Sequence, residues 1–257
     1  MPAGPRTAGE IDALWDFTDP AGSERRFKEA AARLEPDGLA YAEVATQIAR
    51  ALGLQERFAE ADLVLDEVER RLPSGPSRLR VRYLLERGRV LNSSGHPERA
   101  RPLFVEALDV AAQAAEEFYA VDAAHMVAIA STGDEQLEWN RRGLAMAAAG
   151  RDPRARGWKA SLLNNLGWAL HERGERVEAQ RCFEEVLQLR IEQGNAHRIR
   201  HARWAVAHGL RSLGRIEEAL RIQLDLQAEL AREGREDQDV AKEIEACRAA
   251  LVDSKGS

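Results

Sequence analysis

Cysteine is nearly absent from this 257-residue chain. Cys182 and Cys247 share no Cys-x2-Cys spacing, so neither a disulfide framework nor a zinc site is expected, and a reducing compartment is the simpler setting. No stretch approaches the roughly 18 apolar residues that cross a bilayer. The opening MPAGPRTAGE lacks the apolar core of a secretory signal. Together these absences predict a cytoplasmic protein that makes no membrane contact. Positive charge is not in excess either: the net charge is −6. That argues against the basic face that phosphate-backbone binding requires, so no nucleic-acid partner is expected, and single-stranded RNA stacked on Trp168 and Trp204 is the weakest of the binding hypotheses. There is no glycine-rich phosphate loop, no Gly-x-Ser-x-Gly and no His-Glu-x2-His, so the chain predicts neither an enzyme nor a cofactor. His197 and His201 have a spacing that holds a metal on a helix, but no carboxylate or cysteine completes the set, and no metal site is expected.

What is abundant points one way. The hydrophobic share is 44% and the charged share 31%, with aromatics at only 5%. Ala, Leu, Glu and Arg, all strong helix formers, dominate, so an all-α soluble fold is predicted. In LLNNLGWALHERGERVEAQRCFEEVL, Leu163, Leu166 and Leu170 recur at helical spacing. Gly174 follows, and then a second stripe of Val177, Phe183, Val186 and Leu187. This reads as two antiparallel helices joined where Gly174 takes a left-handed cap. Gly167 and Ala179, twelve residues apart, are expected to face each other and let the backbones approach.

One hairpin cannot bury its outer apolar face, so further copies are expected. They occur around Ala207 and Ala219, Gly88 and Ala100, and Ala49 and Ala61, each pair again twelve apart. A fifth copy fits between residues 120 and 146, with a register that counting from Gly133 or from Leu137 and Leu144 leaves open. The best copy, Leu163-x2-Leu166-Gly167-x2-Leu170 followed by Ala179-x3-Phe183, resembles the tetratricopeptide repeat (TPR) family pattern. The offset from Ala179 to Ala219 is 40 residues, longer than that family's roughly 34, which suggests longer helices or links. The chain is therefore similar to the long-pitch bacterial variant, whose members bind peptides or regulators. The resemblance implies a right-handed α-solenoid of stacked antiparallel helix pairs. Residues 1–39 would form a tail and capping helix, 40–232 about five hairpins, and 233–257 a closing helix and tail. Asp19-Pro20 or Ser23 would start the first cap, with Phe27, Ala31 and Leu34 inward and Trp15 and Phe17 sealing the first repeat. Val240, Ile244, Cys247 and Leu251 would close the other end. The tails 1–9 and 253–257 are expected to be mobile.

In such a solenoid the first helices line a concave groove, and the resemblance implies a non-enzymatic module that holds an extended peptide or partner helix there. Residues off the core stripe of those helices are the candidates: Arg50 in the first copy; Arg82, Arg89 and Asn92 in the second; Asn164, Trp168 and His171 in the fourth; His201, Trp204, His208 and Arg211 in the fifth. This stripe of cations, amides and indoles holds few acids. It should prefer a protein or peptide that is anionic or carboxylate-terminated and offers an apolar side chain to indole. The two tryptophans could equally be wedged between repeats, and the arginines could be paired with repeat glutamates. A second reading is a regulatory sensor whose superhelix changes shape when a small peptide binds.

Overall fold

The structure, a computed structural model, describes residues 7–253. It is all-α, with no strand among the described residues. The chain divides into two compact units, Met1–Arg156 and Gly157–Ser257.

The first unit contains α1 (Ala8–Asp12), α2 (Pro20–Ala31), α3 (Leu39–Gly53), α4 (Phe58–Glu69), a 3-10 turn (Leu72–Ser74), α5 (Ser77–Ser93), α6 (Pro97–Gln113), α7 (Glu117–Ile129), α8 (Gly133–Ala149) and α9 (Pro153–Arg156). From α3 to α8 each helix packs on the one before it, and α3 also packs on α5. The second unit contains α10 (Lys159–Glu172), α11 (Arg176–Gln193), α12 (Ala196–Ser212), α13 (Ile216–Arg232) and α14 (Gln238–Asp253), again packed in succession. Helices of up to 18 residues, together with the 3-10 turn and α9, account for intervals near 40. In the third pair, α7 ends at Ile129 and α8 starts at Gly133, which fixes the helix boundaries that residue spacing left open.

The hairpin turn repeats closely. Gly95, Gly174 and Gly214 have φ of 89°, 81° and 78°, and each lies seven residues after the small residue of its first helix. Nothing surrounds the three positions within 4 Å, so glycine is favoured there by backbone conformation alone. At the same place in the first hairpin Glu56 takes a φ of 60°.

The small residues of two first helices make room for an aromatic ring. A Cβ on Gly167 would come within 2.7 Å of Phe183 Cε1 and 3.2 Å of Cys182 Cβ. Gly167 therefore faces Phe183, one turn beyond Ala179, and the phenyl ring lies directly on bare backbone. Gly88 receives Phe104 in the same way. Both rings are fully buried, a burial worth about 2–3 kcal/mol each. Ala61, Ala100, Ala179 and Ala219 are all fully buried too, so the second helix must be small where it crosses its partner. In the last hairpin Gln223 takes the phenylalanine's place, fully buried, with its Nε2 donating to the Trp204 carbonyl at 3.5 Å.

At the amino end Asp19 caps α2, accepting from Gly22 N at 2.8 Å, with Pro20 in the first helical position. Phe27 and Ala31 point inward, and Trp15 meets Phe27 edge-on at 5.0 Å. Of the tails expected to be mobile, 1–6 and 254–257 lie outside the described residues. Residues 7–9 instead open α1, where Thr7 and Glu10 form a reciprocal capping box. At the other end Val240, Ile244 and Cys247 are buried and Leu251 is half-buried.

Candidate functional site

The residues proposed for a ligand-binding face fall into two sets, one in each unit.

In the second unit, α10 and α12 each present aromatic and imidazole rings at helical spacing. Trp168 and Trp204 are 5.8 Å apart between ring centroids, His208 lies 5.3 Å from Trp168 and 5.5 Å from Trp204, and His171 lies 5.0 Å from His208. His201 extends the ladder, 6.1 Å from Trp204. Both indoles are half-buried: Trp168 leans on Phe183 at 4.8 Å, and Trp204 packs on the small core of Leu226, Leu230, Val240 and Ile244. The two rings thus serve both core and surface, and the Trp204 Nε1–H is buried with no acceptor.

Not all of the ladder is open. Glu243 of α14 accepts from His208 Nδ1 at 2.6 Å and from Arg211 Nε and Nη2, each at 2.9 Å. Burial works against its charge, but these hydrogen bonds from His208 and Arg211 prevail and bring the Glu243 carboxyl down to about 2. Arg211 and His208 therefore hold the closing helix in place. His171 Nε2 and Ser212 Oγ are hydrogen-bonded at 2.8 Å, and burial, followed by the neighbouring cations, lowers the His171 pKa.

Beside the ladder lies a polar cavity of about 380 Å³, lined among others by Ser161, Asn164, Arg190, His197, Arg198 and His201. Arg190 is part of its lining. Its guanidinium donates to Gln193 Oε1 at 2.7 Å and to Ser161 Oγ at 3.3 Å, both neutral, and no carboxylate among the described residues lies within ion-pair distance. Desolvation and then the neighbouring Arg198 lower its pKa. At the rim, desolvation followed by His197 and Arg190 lowers the pKa of His201. A guanidinium that is desolvated beside a second one, as Arg190 is beside Arg198, attracts an anion. Composition and stripe position did not single out Arg190 and Arg198. A signal was present, because neither has an acid three or four residues away on either side.

In the first unit the arginines are compensated. Arg89 donates to Glu86 Oε1 at 2.6 Å and to Asp122 Oδ1, and Arg50 Nη1 lies 3.7 Å from Glu86 Oε1. Burial disfavours the Asp122 carboxylate, yet the Arg89 and Arg50 guanidiniums outweigh it and hold the carboxyl below its ordinary range. Arg82, expected on an open groove, is only 2% exposed and donates to Asp12 Oδ1 at 2.9 Å. Asn92 is half-buried in the last turn of α5, with its carbonyl accepting from Gly95 N. The expectation of few acids fails here: Glu86 on α5 itself and Asp122 on α7 face the same way as the arginines and neutralise them.

Residues 160–192, spanning α10 and α11, match the tetratricopeptide repeat family profile. The chain carries a tetratricopeptide repeat. Its fold is of the TPR-like kind throughout its similarity to solved structures. A Podosopora anserina putative kinesin light chain with nearly identical TPR-like repeats aligns at 17% identity over 77% of this chain and 99% of its own, with a TM-score of 0.60. The apo form of RapI aligns at 11% identity over 95% of this chain and 71% of its own, at 0.72. A Rap protein in complex with Competence and Sporulation Factor aligns at 14% identity over 92% and 71%, at 0.65. No curated protein sequence matches the chain. The matched repeat contributes Ser161, Asn164, Trp168, His171 and Arg190 to the face just described. No described helix is long and apolar enough to cross a membrane.

Proposed function

We propose that the second unit is a non-enzymatic, cytoplasmic interaction module that lays an extended polypeptide segment along α10 and α12, with an acidic group of that segment entering the cavity at Arg190. One observation carries this reading: a continuous ladder of Trp168, Trp204 and His201 borders a polar cavity lined by the Arg190 guanidinium, which has no carboxylate partner among the described residues. Indole faces suit apolar side chains, Asn164 offers an amide to a peptide backbone, and the cations of Arg190 and Arg198 suit a carboxylate. The repeat match supports the reading, as does similarity to a Rap protein complexed with a factor and to NprR in complex with its cognate peptide NprX, the latter with a TM-score of 0.57.

Glu243 favours a regulatory version of the same function. A segment reaching His208 and Arg211 competes with a carboxylate that anchors α14, so ligand binding and release of α14 are coupled.

Selection from a random peptide display library on the immobilised full chain tests the proposal. Enriched peptides should lose binding to Trp168→Ala and Arg190→Gln and keep it on Arg80→Ala, an exposed control in the first unit. Peptides that bind all variants equally, or no enrichment over Trp168→Ala, would refute it.

A further inference from the structure

The first-helix face of the first unit is already occupied, and its occupant is the chain's own amino-terminal segment. Residues 7–18 reach α3, α5 and α9 through their side chains. Ile11 is 1% exposed within the unit's core cluster. Asp12 accepts from Arg82 Nη2 on α5 at 2.9 Å and from Arg154 Nη1 on α9 at 3.4 Å. Trp15 Nε1 donates to Gln47 Oε1 on α3 at 2.9 Å. Trp15 and Phe17 stack with centroids 4.6 Å apart, and the Arg50 guanidinium covers both rings at 5.5 and 5.2 Å.

Beneath the segment lies a cavity of about 250 Å³ whose polar lining the segment leaves incompletely bonded. Arg82 Nε, Glu86 Oε2 and the Tyr119 hydroxyl are buried without hydrogen-bond partners, on residues that are 2%, 2% and 3% exposed. Such orphaned groups point toward an occupant that brings more donors and acceptors than Asp12 alone. The charges agree. With the segment lifted, Arg50, Arg82 and Arg89 face only Glu86 and Asp122, and Arg82 has no carboxylate partner other than Asp12 among the described residues.

We propose that this face is a second polypeptide-binding surface, held shut in cis by residues 7–18, and that its partner is a segment pairing an acidic residue with aromatic side chains. The partner displaces the amino-terminal segment and takes over the contacts of Asp12, Trp15 and Phe17. The lifted face is rehydrated, so the buried Arg82 does not oppose opening. This proposal stands on the first unit alone and is independent of the peptide reading of the second.

The test uses the full chain and a fluorescein-labelled synthetic peptide, TAGEIDALWDFT, copying residues 7–18. Ile11→Ser/Trp15→Ala and the milder Trp15→Ala weaken cis docking without touching the face. Fluorescence anisotropy should show the peptide binding the double variant about tenfold or more tighter than wild type, because the closed state no longer competes. Arg50→Glu added to the double variant should remove that binding. Equal weak binding to wild type and both variants, with cooperative melting retained, would overturn the proposal. Loss of the cooperative melt in both variants would also overturn it, since the segment would then belong to the unit's own core.

Discussion

Gly167 and Gly174 sit seven residues apart in one repeat, and replacing each with alanine should destabilise the second unit for different reasons. At Gly167 a new Cβ meets Phe183 Cε1 at 2.7 Å, Cδ1 at 2.9 Å and Cys182 Cβ at 3.2 Å. Phe183 is fully buried, so its ring has nowhere to retreat. Overpacking of this kind costs about 1–3 kcal/mol, while alanine in a helix interior gains about 1 kcal/mol over glycine. The expected net effect is a loss of up to about 2 kcal/mol. At Gly174 nothing lies within 4 Å, but φ is 81°, so alanine costs about 1 kcal/mol through the left-handed backbone alone. A double-mutant cycle separates the two causes. Phe183→Leu, which shortens the side chain, should couple to Gly167→Ala by about 1 kcal/mol or more, and to Gly174→Ala by less than about 0.5 kcal/mol. Urea titration followed by far-ultraviolet circular dichroism supplies the free energies, provided the slope with denaturant stays constant. A stabilising Gly167→Ala, or equal coupling in the two cycles, would mean that the ring does not rest on the Gly167 backbone, and the close-approach account would fail.

Three further outcomes follow from the same geometry. Glu56→Gly and Ala115→Gly, which relieve φ values of 60° and 55°, should each raise first-unit stability by about 0.5–1 kcal/mol in the same titration. Burial, aided by Arg89 and Arg50, brings His125 down to about 4 against its ordinary 6.5. The unfolded chain therefore takes up the proton first, and the first unit should lose stability as pH falls from about 6.5 to about 4, with no effect above; thermal melts of His125→Gln should lack that slope. Glu243→Gln removes a carboxylate held at about 2 by His208 and Arg211 and should loosen α14 by about 2 kcal/mol, seen as faster amide exchange from 238 to 253; in wild type the same contribution is full above about pH 4.5 and lost as pH falls toward 2.

Much of the fold was legible because it rests on periodic features. The twelve-residue interval, the left-handed glycines and the stripe of Leu163, Leu166 and Leu170 are local, so they survive as a pattern in one dimension. That the Phe183 ring rests on the Gly167 backbone was not legible, because it depends on how far the two helices are offset along their axes. The ladder was half legible. Helical spacing put Trp168, His171, Trp204 and His208 on matching faces, but that Glu243 would hold His208 depends on a helix 35 residues further on. Sequence alone places the aromatic pair Trp15 and Phe17 as a seal on the first repeat, whereas its seat under Arg50 and beside Gln47 is a tertiary fact.

The difference between the two units comes down to which arginines have acids to face. Arg89 has Glu86 three residues earlier on the same helix and Asp122 across from it, so its charge is satisfied before any partner arrives. A ligand competing for it must replace carboxylates that are already desolvated and bonded, which gains little. Arg190 has neither, and its two neutral acceptors leave a partly buried charge uncompensated. An incoming carboxylate there forms a charge-assisted bond without breaking an existing ion pair, and the desolvation of Arg190 has already occurred on folding. For equal numbers of contacts, an acidic peptide should therefore gain more at Arg190 than at Arg89. Arg82 stands between these cases, since its one carboxylate partner among the described residues is Asp12 of the 7–18 segment, and it becomes available only if that segment leaves.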